Sequence, residues 1–154
     1  MVGEGLQPSS DFLLDTGIIM RHLRNDKRAH DLLDYLEKIG EISVSAITYM
    51  EILIKCRPDE DEATMLFFDR VPPISVGREI AQKAASLIKR YPAVFGKNNP
   101  TGFPDAIIGA TAWQRGSTLV TLNTRHFVRV PIAEIKIQAI DQNARDWTAT
   151  LTSP

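Results

Sequence analysis

Three carboxylates in this chain stand on hydrophobic supports, where an acid is least at home. Asp15 follows the apolar run Phe12-Leu13-Leu14, Glu51 lies inside ITYMEILI, and Asp105 comes straight after Pro104 at the head of the small-residue segment AIIGATAW. A carboxylate among apolar neighbours is costly unless it is paired or bound to a cation. Gathered at one place, the three would make an all-oxygen site for a hard cation, with Mg²⁺ the fitting ion and Mn²⁺ a possible substitute. Each also has an ordinary reading. Asp15 heads an Asp-Thr-Gly turn and could cap a helix. Asp105 suits the dipole of a first helical turn after proline. Glu51 borders an expected buried stripe of Ile47, Met50 and Ile54, and it could pair with Lys55 one turn on.

For the acids to meet, the elements carrying them must end at one edge. The Phe12 run reads as a strand with Asp15 at its carboxyl end, and helical spacing from Ile18 to Leu23 follows. A second helix with Leu32, Leu33, Leu36 and Ile39 closes at Gly40, a C-cap residue. Ile42-Ser43-Val44 reads as the next strand, and Ser45 can cap a helix that contains Glu51. Two further helices are expected over 59–71 and 77–91, the first ended by Pro72 and Pro73, and a Gly/Lys/Asn/Pro loop over 96–102 delivers the helix of Asp105. The run Thr118 to Leu122 is a strand that ends at Asn123, and 135–140 alternates like an edge strand. Strands alternating with helices imply right-handed crossovers and a mostly parallel sheet covered on both faces, a three-layer α/β/α fold. Ligands of such sheets sit beyond the carboxyl ends of the strands, where Asp15 and Asn123 land.

Composition narrows the partners. The 154 residues, 44% hydrophobic and 24% charged, make one domain of ordinary composition, with a formal net charge of -1 that gives no global pull toward a polyanion. Cations are nevertheless grouped: Arg21, Arg24, Lys27 and Arg28 follow the first acid, and Arg125 and Arg129 follow Asn123. Such a run is more often a solvated face than a phosphate contact. A single cysteine, Cys56, excludes an internal disulfide and suits a reducing cytoplasm, and no apolar run approaches the length of a membrane span. His22, His30 and His126 stand at no metal-ligand spacing and read as exposed helix or loop residues. Dinucleotide, phosphate-loop and nucleophile-elbow motifs are absent. Residues 1–10 read as a flexible leader, 11–141 as the folded domain, and 142–154 as a polar C-terminal tail that frays.

The segments LLDTGIIM, SAITYMEIL and FPDAIIGATAWQRGSTLVTLNTRHF, in this order, resemble the PIN-domain ribonucleases, and most closely the VapC-type toxins of bacterial and archaeal toxin–antitoxin pairs. The specific part is P-D-A-x-I-x-A-T-A, then Gly, then L-V-T-x-N-x-x-x-F; the D-T and T-x-x-E pieces, here Thr48 to Glu51, are weak alone. The resemblance implies an acidic triad of Asp15, Glu51 and Asp105 as metal ligands, with Asn123 at the fourth position and Thr121 just before it. It departs in two places: the fourth position is an uncharged Asn123, and His126 stands where many relatives carry an acid. The resemblance further implies a Mg²⁺-dependent endoribonuclease that leaves 5′-phosphate and 3′-hydroxyl ends, a small cognate antitoxin, and a homodimer. A catalytically inactive RNA- or protein-binding module is the alternative, and an aspartyl phosphohydrolase is weakened by the lack of a D-x-D motif.

Overall fold

The first strand explains the architecture. In a computed structural model, which describes residues 10–96, 102–127 and 131–151, β1 (Ser10–Leu14) sends Phe12 and Leu14 into one apolar cluster and Leu13 into another. Alternate residues of a strand point to opposite faces, so an unbroken apolar run marks a strand covered on both sides. Its neighbours are β2 (Gly40–Ser43) and β3 (Thr118–Thr121), and β4 (Lys136–Ala139) pairs with β3, giving the order β2-β1-β3-β4 with every pairing parallel. The expected α/β/α layering is the observed one.

One face is covered by α1 (Thr16–Leu23), α2 (Lys27–Ile39), α3 (Ala46–Lys55) and α4 (Asp61–Arg70), which supply Ile18, Leu32, Leu36, Ile52 and Phe68 to the first cluster. The other is covered by α5 (Arg78–Arg90), α6 (Pro92–Phe95) and α7 (Gly102–Arg115), with Leu87, Phe95, Ala106 and Ala110 in the second. A short α8 (Thr124–Phe127) follows β3. The small residues of α7 are packing residues, as a Cβ added at Gly109 would stand 2.8 Å from Ile135 Cδ1 and 3.6 Å from Leu87 Cδ1. Gly102 opens the helix against the backbone of Phe95, where an added Cβ would lie 2.9 Å from the carbonyl oxygen.

Several expectations are corrected. The fully buried side of α3 is formed by Thr48 and Ile52; of the expected stripe Ile47 packs against the second cluster, while Met50 and Ile54 are exposed. His22 and His30 are not separate surface residues: their rings meet at 4.3 Å between centroids with the planes tilted by 56°, and His22 Nδ1 is buried. Residues 142–151 of the expected tail are docked on the domain. Trp147 is fully buried in the first cluster, Arg28 stacks over its ring at 4.6 Å, and Arg28 Nη1 donates to the carbonyls of Gln142 and Ala144. Of the leader, residues 1–9 lie outside the described residues and Ser10 already belongs to β1. Residues 97–101 of the expected loop, Arg129, and the side chains of Arg125 and His126 also lie outside them.

Candidate active site

Parallel register brings the first two groups together. Leu14 is opposite Val120, so the next residues along, Asp15 and Thr121, meet where β1 and β3 end. Asp15 caps α1 in an extended conformation, its Oδ1 accepting from the Thr16 amide at 2.8 Å, and its Oδ2 accepts from the Thr121 hydroxyl at 2.5 Å. The helix dipole favours a negative charge at this end. Thr121 Oγ1 also accepts from the Asn123 amide at 2.9 Å, so one buried hydroxyl connects Asp15 to the turn that carries Asn123.

Glu51 enters from α3. Its Oε1 accepts from the Thr16 hydroxyl at 2.9 Å, and Thr16 Oγ1 lies 3.3 Å from that of Thr48. Thr48 and Glu51 share a helix face three residues apart, so the T-x-x-E pattern places one residue beside Thr16 and the other on its hydroxyl. Among the described residues Glu51 forms no ion pair with Lys55, and both instead line the same pocket. Asp105, in the first turn of α7, arrives from the opposite layer, with its Oδ2 accepting from Asn123 Nδ2 at 3.3 Å.

Asp15, Glu51, Asp105 and Asn123 thus line one pocket of about 550 Å³ above the sheet, with Thr121 buried behind it. Among the described residues no group of three His, Cys, Asp or Glu side chains is drawn close enough to enclose a metal ion. Each acid is instead held by a neighbour: Asp15 by Thr121, Glu51 by Thr16, Asp105 by Asn123. The donor chemistry suits a cation all the same. Every candidate ligand is an oxygen, Asp15 and Asp105 are buried at 6% and 9% exposure, and Mg²⁺ needs only one or two carboxylates because it keeps several waters.

Cations line the same pocket. Arg21, Arg24 and Lys55 line the pocket, Arg21 standing 3.7 Å from Asp26, whereas Lys27, paired with Asp31, and Arg28, paired with Asp26, do not line it. Arg24 is oriented by Glu60, whose Oε1 accepts from Arg24 Nε and from Arg57. The Arg57 backbone amide and the two guanidiniums hold the Glu60 carboxyl down at about 2. Lys55 as a rim cation went unread in the sequence, as did Gln142, which lines the pocket from the segment after β4.

A model of the PIN domain matches residues 12–133, which is most of the chain. The chain belongs to the PIN domain family. Ribonuclease VapC19 of Mycobacterium tuberculosis is 34% identical to it over 122 residues, covering 77% of this chain and 94% of that protein. The fold is similar to that of a toxin-antitoxin complex from Klebsiella pneumoniae, with a TM-score of 0.63 and 26% identity over 81% of this chain and 98% of that one. VapBC2 from Rickettsia felis, solved bound to a DNA fragment from its promoter, has a TM-score of 0.68 at 22% identity, covering 85% of this chain and 99% of that one. This PIN domain has no helix, among the described residues, long and apolar enough to cross a membrane.

Proposed function

We propose that this PIN domain is a metal-dependent endoribonuclease that cleaves RNA phosphodiester bonds and acts in the cytoplasm as the toxin of a type II toxin–antitoxin pair. The observation that carries the reading is the meeting of Asp15, Glu51, Asp105 and Asn123 in one pocket from four separate elements, in a chain similar to a VapC ribonuclease.

Asp15 and Asp105 are the direct ligands in this reading, Glu51 completes the cluster, and a bound Mg²⁺ (or Mn²⁺) would neutralise the phosphodiester and favour attack by water. The protein's own groups do the positioning. Arg21, Arg24 and Lys55, in the same pocket as the acids, would meet a polyanion and offset the acids' charge. Thr121 and Asn123 fix the orientation of Asp15 and Asp105, and Thr16 holds Glu51 so that its carboxylate is available to orient a water or accept its proton. The partner in this reading is a small cognate antitoxin, whose basic side chain would compete for the carboxylates, and the toxin itself would be a homodimer; the similarity to a toxin-antitoxin complex supports the pairing.

The test has two arms. Purified protein is expected to cut RNA with Mg²⁺ and not in EDTA, and its expression should arrest bacterial growth unless Asp15 is changed to Asn. Metal-independent cutting, or growth arrest by Asp15→Asn, would contradict the assignment. A folded wild type that binds RNA without cutting it would favour the inactive binding module.

A further inference from the structure

We propose that the segment following β4 builds a base-reading subsite beside the acidic pocket, with Gln142 on the wall between the two; this rests on the ribonuclease reading above. A second pocket of about 580 Å³ shares Leu122 and Gln142 with the acidic one, so the two form successive compartments of one cleft.

The compartments differ in chemistry. The acidic pocket is faced by Arg21, Arg24 and Lys55, cations suited to phosphate. Among the described residues the second has no Lys or Arg in its lining; it presents Thr124, Gln142, Asn143 and Thr150, with Asp141 as its charged group and Leu122 and Ala139 as apolar contacts. Among the described residues, a phosphate placed there would meet the Asp141 carboxylate. A nucleobase finds an apolar contact for its face, amide donors and acceptors for its edge, and a carboxylate for an exocyclic amino group. Sequence-specific reading of RNA targets unpaired bases splayed from the strand, and a compartment one step from the proposed cleavage site is where such a base would go.

The segment is also built to read rather than to drift. Arg28 clamps the Gln142 carbonyl at 2.9 Å and the Ala144 carbonyl at 3.1 Å, Trp147 is fully buried, and the Asn143 amide donates to Asp141 Oδ1 at 2.9 Å. The backbone of Gln142 is therefore held while its side chain stays exposed at the junction. These residues lie beyond 12–133, the stretch matched by the PIN domain model.

The experiment is cleavage of a random-sequence RNA pool with Mg²⁺, mapped by end sequencing, for wild type, Gln142→Ala/Asn143→Ala, and Gln142→Glu, each first checked for an unchanged thermal midpoint. Wild type should prefer particular bases at one position flanking the cut. The double variant should lose roughly tenfold of that preference while other positions keep theirs, the scale of one bidentate contact. Gln142→Glu should redirect the preference toward bases that present an amino group, which a merely structural residue would not do. Cleavage by folded variants with the wild-type preference would overturn the subsite and leave the nuclease standing. Absence of cleavage by wild type would overturn the nuclease reading and the subsite with it.

Discussion

The Thr121 hydroxyl donates a 2.5 Å hydrogen bond to Asp15 Oδ2 and so ties the ends of two adjacent strands together at the pocket floor. Because the same oxygen accepts from the Asn123 amide, its loss removes a hydrogen bond from two polar groups at once. Thr121→Val is expected to cost about 1–3 kcal/mol in urea denaturation and to lower RNA cleavage, whereas Thr121→Ser should retain both. Equal behaviour of Val and Ser would show that the hydroxyl positions nothing.

Asn123 gives Asp105 an amide donor where an acid would give it a like charge. Asn123→Asp would set two carboxylates side by side, an arrangement that disfavours ionising both. In EDTA at neutral pH the variant should be less stable, on the order of 1–3 kcal/mol, and Mg²⁺ should raise its thermal midpoint more than it raises that of wild type. No difference in the Mg²⁺ response would remove Asn123 and Asp105 from the cation site.

His22 titrates far from its ordinary value: burial, then the neighbouring His30 and Arg70, hold it down to about 4, against smaller opposing effects of Asp34 and Glu37. The unfolded chain therefore binds a proton near 6.5 that the folded protein refuses until about 4. Stability from this group is fully present above 6.5 and is lost as the pH falls toward 4. Denaturation midpoints across that window should slope down with acid in wild type and slope less in His22→Gln. Parallel slopes would assign the acid sensitivity elsewhere.

Trp147 and Arg28 fasten the C-terminal segment to α2. Trp147→Ala removes a fully buried indole and should cost about 3–5 kcal/mol, while Arg28→Ala, at a partly exposed stacked pair, should cost on the order of 1 kcal/mol. A near-neutral Trp147→Ala in thermal unfolding would mean that the segment is not docked in solution.

The sequence carried the site better than the surfaces around it. Phe12-Leu13-Leu14 marks a doubly covered strand, and a polar residue after such a strand must fall at the ligand-binding edge, so Asp15 and Asn123 were legible as site candidates. In ITYMEILI nearly every position is apolar, so periodicity could not decide which side of α3 is buried, and tertiary contact selected Thr48 and Ile52. The last segment is polar by composition, yet burial of one large indole outweighs its polar neighbours. His22 and His30 become partners through the turn at Asn25, which takes a φ of 62° that spacing along the chain does not reveal. Lys55 looked like the partner of Glu51 because i,i+4 spacing cannot tell a surface ion pair from two walls of one pocket.

The most direct test of the account is cleavage of total RNA by wild type and Asp105→Asn, each with Mg²⁺ or EDTA, with the new ends mapped by sequencing. Discrete cuts bearing 5′-phosphates that require both the metal and Asp105 are expected. Cuts that persist in Asp105→Asn or in EDTA would contradict it.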